Sequence, residues 1–99
     1  MPYRIEYAPE AEHHLRTLTV RQRAIVLNTV DKQLPYQPTV QTKNRKPLRP
    51  NLLAPWELRI DNLRVYYSVE EAPELVVYIH AIGIKRRNQV WIGNEVIEL

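Results

Sequence analysis

The pattern of apolar and polar positions changes period three times along the chain. Tyr3 to Tyr7 (YRIEY) alternates aromatic and β-branched residues with charged ones, which predicts a first strand. Pro9 suits the first turn of a helix, where a missing N–H costs nothing, and Glu10 and Glu12 complement the helix dipole. Ala8, Ala11, Leu15 and Leu18 recur at three- and four-residue spacing, so this helix is expected to run to about Leu18. Thr19 with Gln22 has the form of a capping box for a second helix. Val20, Ala24, Leu27, Val30 and Leu34 make its apolar stripe, Ile25 and Val26 widen it, and Pro35 stops it. So short a link between the helices predicts an antiparallel hairpin.

Between residues 35 and 55 the prolines Pro35, Pro38, Pro47, Pro50 and Pro55 exclude regular helix and interior strand. A loop this long is usually functional or mobile, or else an extended connection over the core. From Trp56 the period becomes two. Trp56, Leu58 and Ile60 alternate with Glu57 and Arg59, Asp61-Asn62 suits a tight turn, and Leu63 to Val69 alternates again. Ala72-Pro73 marks another turn. Leu75 to Ile82 is apolar nearly throughout, as a central strand covered on both faces would be. Gln89 to Ile92 and Glu95 to Leu99 are short strands separated by Gly93-Asn94. The predicted architecture is α+β: one domain over residues 1–99, with an N-terminal strand and a helical hairpin packed on one face of a mainly antiparallel sheet of four to five strands.

Counting outward from Asp61-Asn62 sets the register of that hairpin. Arg59 faces Arg64, Leu58 faces Val65 and Glu57 faces Tyr66. Leu58, Ile60, Leu63, Val65 and Tyr67 then form the face to be covered by helices, and Glu57, Arg59, Arg64, Tyr66 and Ser68 form the other. Two arginines directly opposite each other are unfavourable by roughly 0.2–1 kcal/mol, which points to an anion site. The plainer alternative is that Glu57 bridges both in a surface network.

Composition narrows the chemistry. The net charge is +3, but the basic residues cluster: Lys43, Arg45, Lys46, Arg49, Arg59 and Arg64 outnumber Glu57 and Asp61, and Lys85, Arg86 and Arg87 form a second block. Such clusters fit a polyanion or an acidic protein partner, or simply a solvated surface. With no cysteine there is no disulfide or thiolate chemistry, and with only Gly83 and Gly93 there is no glycine-rich phosphate loop. The start MPYRIEYAPE carries charges and no apolar core of a secretory signal, and no apolar run approaches the roughly 20 residues of a membrane span, so a cytoplasmic, cofactor-free protein is expected. Ser68, the only serine, lacks a nucleophile-elbow context. His13 and His14 lack the spacing and partners of a metal site. His80 shares a strand face with Tyr78 and reads first as a packed, hydrogen-bonded residue, with acid–base work near neutral pH as the alternative. Arginine, lysine, histidine and tyrosine remain, which suits metal-independent phosphate-ester cleavage.

Three segments carry a family resemblance. PLRPNLLAPWELRI (Pro47 to Ile60) resembles the stretch leading into the second strand of the YoeB branch of the RelE/ParE toxin superfamily. LRVYY (Leu63 to Tyr67) resembles that superfamily's arginine-bearing strand, and GIKRRNQVW (Gly83 to Trp91) its glycine, basic run and terminal aromatic. The resemblance covers nearly the whole chain. It implies a toxin of a type II toxin–antitoxin system, paired with a cognate antitoxin, that enters the ribosomal decoding site and cleaves mRNA by attack of a ribose 2′-OH on the adjacent phosphate. It places Arg64 at the phosphate-contacting arginine, Arg59 at a basic position of the preceding strand, Lys85 at a catalytic arginine and Trp91 at a base-stacking tyrosine. Lys43, Arg45, Lys46, Arg49, Arg86 and Arg87 complete the expected RNA-binding set. Two positions depart from the pattern. Glu57 stands where RelE has the lysine proposed as general base, and Lys46 where the YoeB branch has its general-base glutamate. Glu57 is itself a candidate base, its basicity weakened by Arg59 and Arg64. A gyrase-binding ParE-like toxin and a catalytically inactive RelE-fold module that binds RNA or antitoxin remain as alternatives. In each case the antitoxin is expected to cover the basic face or displace a C-terminal element, its acidity matching the basic clusters.

Overall fold

A computed structural model describes residues 2–98. The first strand, β1 (Arg4–Tyr7), leads into helices α1 (Pro9–Thr17) and α2 (Val20–Gln33). Six further strands follow: β2 (Arg45–Pro47), β3 (Trp56–Ile60), β4 (Leu63–Glu70), β5 (Val76–Arg86), β6 (Gln89–Ile92) and β7 (Glu95–Ile97). Leu99, the last residue of the final predicted strand, lies outside the described residues. No helix among the described residues is long and apolar enough to cross a membrane.

The capping box forms as its residue types require: Thr19 Oγ1 accepts from the Gln22 N–H at 3.1 Å, and Gln22 Oε1 accepts from the Thr19 N–H at 3.0 Å. Arg23 of α2 reaches back so that its Nε donates at 3.1 Å to the Leu15 carbonyl, which also accepts the Leu18 N–H at 3.2 Å at the end of α1. The hairpin is thereby fixed from both sides of its link. The expected stripe of α2 holds where Val26, Val30 and Leu34 are buried and Ile25 and Leu27 pack against the core, but not at its start, where Val20 is 77% exposed and Ala24 faces solvent. The helix lies on the sheet through its second half, so the apolar residues of its first turn have nothing to cover them.

The α+β architecture is as expected, but the sheet has seven strands rather than four to five. One reason is β5, which continues through the basic run to Arg86. Its first half pairs in parallel with β1, and its last residues, Gly83 to Arg86, pair with β6 along the same edge. The parallel β1–β5 pair needs a crossover, and the helical hairpin supplies it. The other reason is β2, a short strand inside the supposedly irregular segment, paired to β3 and ending at Pro47 on the sheet's outer edge, where a missing N–H is tolerated.

The helices pack α1 on β5 and α2 on β4. Ala11, Leu15, Leu18, Val26, Val30 and Leu34 meet Leu58, Leu63, Val65, Tyr67, Val77, Ile79 and Ile82 in the main core. Tyr67 also tethers the proline-rich segment, its hydroxyl donating to the Pro38 carbonyl at 2.6 Å while its ring stacks on Trp56. Burial pushes its phenol well above the ordinary value.

Gly83 is packed too closely for a side chain. A Cβ there would stand 2.8 Å from the Trp91 carbonyl oxygen and 2.9 Å from Ile92 Cγ1. Gly83→Ala should therefore destabilise the protein by about 1–3 kcal/mol, read as a lower urea midpoint with an unchanged slope.

His14 joins α1 to β5 by accepting the Ile82 N–H on Nδ1 at 3.3 Å, which requires that nitrogen to be unprotonated. Burial, reinforced by His13, lowers its pKa below the ordinary 6.5. A lowered histidine makes the unfolded chain bind protons first. Its contribution is complete above pH 6.5 and is lost as the pH falls from there through the folded value. Urea unfolding at pH 7.5 and 5.5 should show a smaller acid loss of stability for His14→Gln than for the parent.

Candidate nucleic-acid interface

The turn at Asp61-Asn62 closes as its residue types allow, Asp61 taking a φ of 52°. The register that follows is the one counted from the sequence: Arg59 opposite Arg64, Leu58 opposite Val65, Glu57 opposite Tyr66. On the face away from the helices this lays out two rows. Lys46, Glu57, Tyr66 and Ala81 form one; Arg59, Arg64, Gly83 and Ile92 form the next. Lys85 follows two residues beyond Gly83 on the same face, its N–H donating to the Asn62 carbonyl at 2.7 Å.

Glu57, Arg59, Arg64 and Lys85 border one cleft of about 530 Å³, with Leu48 on one side and Gln89, Val90, Ile97 and Glu98 on the other. The facing arginines avoid each other by turning apart. Arg59 Nε donates to Glu57 Oε1 at 2.7 Å, whereas Arg64 Nη1 donates to the carbonyls of Asp61 at 2.7 Å and Leu63 at 2.9 Å. The Glu57 carboxylate forms an ion pair with Arg59 alone, so the expected alternative of a bridge to both arginines is not what forms. Its side chain is 7% exposed, against 48% for Arg59. Beside Glu57 the Tyr66 hydroxyl is buried, and no described group hydrogen-bonds it. Burial, then the Glu57 carboxylate, pushes that phenol far above its ordinary value, so it stays protonated and available as a donor. Cations that border the same cleft as a recessed carboxylate suit a phosphodiester: the cations hold the phosphate and offset charge that builds on it, and the carboxylate accepts a proton.

Among solved structures, a chain of the toxin–antitoxin complex RelBE2 from Mycobacterium tuberculosis superimposes with a TM-score of 0.74 at 24% identity, over 86% of this chain and 100% of that one. The fold is of the RelE type. No protein-family model and no curated protein matches the sequence.

On this RelE-type scaffold the remaining predicted contacts divide. Lys46 lies on the open face in the Glu57 row, half-buried. Lys43 and Arg87 are exposed, Arg87 at a φ of 59° in the turn between β5 and β6. Arg49 is exposed in the loop beside the cleft. Three residues are not where an RNA contact on this face would need them. Arg45 pairs with Leu58, which turns it to the core side; it is 8% exposed and its Nη1 donates to the Gln37 carbonyl at 2.6 Å. Trp91 pairs with Ile84 and Val96, and Arg86 lies over its ring at 5.9 Å. Both border a separate hollow on the helix side with Thr17 and Leu18. Strand alternation explains all three, because Trp91 and Arg86 fall on the opposite parity from Lys85, and Arg45 from Lys46.

The sequence reading missed the wall made by Ile97 and Glu98. The short runs of β6 and β7 carry alternation enough for strands, but nothing in them says which face of the sheet the chain end will border. It also missed the buried Tyr66 hydroxyl, whose signal was present: a tyrosine on the polar face of a strand, opposite a glutamate.

Arg45 is accordingly a structural residue that ties the proline-rich segment to the sheet. Arg45→Ala should cost about 2 kcal/mol in urea unfolding, the range for a largely buried hydrogen bond from a charged group, while Lys43→Ala changes stability by less than about 0.5 kcal/mol.

Proposed function

We propose that this chain is the toxin of a type II toxin–antitoxin pair and that its open sheet face binds and cleaves mRNA on the ribosome. The observation that carries the reading is that Glu57, Arg59, Arg64 and Lys85 border one cleft, on the face the helices leave bare. The similarity to a chain of a toxin–antitoxin complex supports the antitoxin partner, an acidic segment of which would complement the same cationic face.

In the proposed reaction Glu57 takes the proton of a ribose 2′-OH and the 2′-oxygen bonds to the adjacent phosphorus. The P–O5′ bond breaks, leaving a 2′,3′-cyclic phosphate, and Lys85 protonates the departing 5′-oxygen. Arg64 holds a non-bridging phosphate oxygen. Arg59 holds the Glu57 carboxylate in place until substrate enters. The Tyr66 hydroxyl, protonated and unpartnered, is placed to steady the carboxylate.

Inducing the protein in growing cells and mapping mRNA 5′ ends tests this directly. Cleavages positioned within codons are expected; gyrase-linked DNA breaks without them would select a gyrase poison instead. Glu57→Gln should abolish cleavage while the circular dichroism is unchanged and the unfolding free energy from urea titration stays within about 1 kcal/mol of the parent. Unchanged cleavage in that variant would remove Glu57 from the reaction.

A further inference from the structure

Beside the cationic cleft lies a second hollow that the reaction above does not use. Residues 48–55 curl around about 400 Å³, and His80 is the one residue of the sheet that borders it. The loop is closed by the Leu48 N–H donating to the Pro55 carbonyl at 2.8 Å. Asn51 braces it from within. Its Nδ2 donates to the carbonyls of Arg49 at 2.7 Å and Ala54 at 2.9 Å, and its Oδ1 accepts from the N–H groups of Leu53 at 2.6 Å and Ala54 at 2.9 Å. A side chain that uses both its polar atoms twice makes the loop a preformed ring, so little ordering entropy remains to be lost on binding. At its tip Leu52 is fully exposed, an apolar side chain held out in solvent.

His80 sits where β5 carries one residue more than β4. Tyr66 pairs with Ala81 and Tyr67 with Ile79, leaving His80 as the bulge. Bulges re-aim side chains, and this one sends the imidazole to the open face. There its Nε2 and Ser68 Oγ are 2.6 Å apart, which fixes the ring and leaves Nδ1 for a ligand. Ser68 is four residues along β4 from Arg64, so the two sites lie about 13 Å apart on one sheet face. Leu48 borders both hollows.

We infer that the ring of residues 48–55 and His80 form a nucleobase pocket, which receives an unstacked base of the same RNA strand whose phosphate lies in the Arg59–Arg64 cleft. This rests on the RNA reading above. The chemistry matches on three counts. Leucine, proline and alanine walls suit the face of a base, and a fixed imidazole can stack on or hydrogen-bond to it. Arg49 at the rim and the neighbouring cations continue the positive path along which a single strand would run. The occupant is a base rather than a free small molecule because the hollow opens beside a phosphate site and shares a wall with it.

The test is binding of a short single-stranded oligoribonucleotide and of a series in which one nucleotide at a time is made abasic. Each is titrated against the parent, His80→Ala, the volume-conserving His80→Gln and Arg59→Ala. One abasic position should weaken binding to the parent roughly tenfold, and that penalty should shrink to within about twofold in both His80 variants. Arg59→Ala should weaken all the oligonucleotides alike. Affinity that depends on Arg59 but on no base, or a base penalty that persists in the His80 variants, overturns the pocket and leaves the cleft reading intact. Affinity indifferent to Arg59 and to every base overturns both.

Discussion

The register of the β3–β4 hairpin is the constraint from which the rest of the molecule follows. Side chains alternate across a strand, so a slip of one residue would carry Leu58, Val65 and Tyr67 out of the core and put Glu57, Arg59 and Arg64 into it. Two features hold it. Asp61 accepts a left-handed backbone angle that closes the turn, and one of the largest apolar clusters in the chain is buried only in the observed register. Folding and site assembly are therefore the same event: the free energy that buries Leu58 and Val65 also holds two arginines side by side against their mutual repulsion.

That repulsion is lowered by local hydrogen bonding rather than by separation. Arg59 leans toward Glu57 and Arg64 toward the carbonyls of its own turn, so each guanidinium has its own protein partner and only Arg59 draws on the Glu57 carboxylate. Both still border the cleft with donors to spare, because a guanidinium carries five and these bonds use few. The arrangement is rigid on the Arg64 side, where the partners are backbone, and looser on the Arg59 side, where a half-exposed side chain holds a recessed carboxylate. In the proposed reaction an entering phosphate would compete for Arg59 first and so release the Glu57 carboxylate.

The proline-rich segment does two different jobs on either side of β2. Its first part is fastened down by the Tyr67 hydroxyl on Pro38 and by Arg45 on Gln37, both bonds reaching a carbonyl that no helix or sheet satisfies. Its second part is fastened to itself through Asn51 and stands beside the cleft as a ring. Basic residues in this segment were expected to share one role. In the structure Arg45 holds the fold together while Arg49 faces solvent, and their separation follows from one being in a strand and the other in a loop.

The sequence by itself determined whatever local period and turn chemistry control: the capping box at Thr19 and Gln22, the helical hairpin, the β3–β4 register and the pairing of Arg59 with Arg64. It also carried the RelE resemblance that the fold bears out. It did not determine how far the sheet extends, because β2 is three residues long and β5 runs on through a stretch whose charges hide its strand character. Nor did it place Trp91 and Arg86, which join the helix side although they adjoin Lys85 in sequence, or bring Leu48 and His80 to one hollow. Those outcomes depend on parity counted across several paired strands and on a single bulged residue, quantities that exist only once the whole sheet has formed.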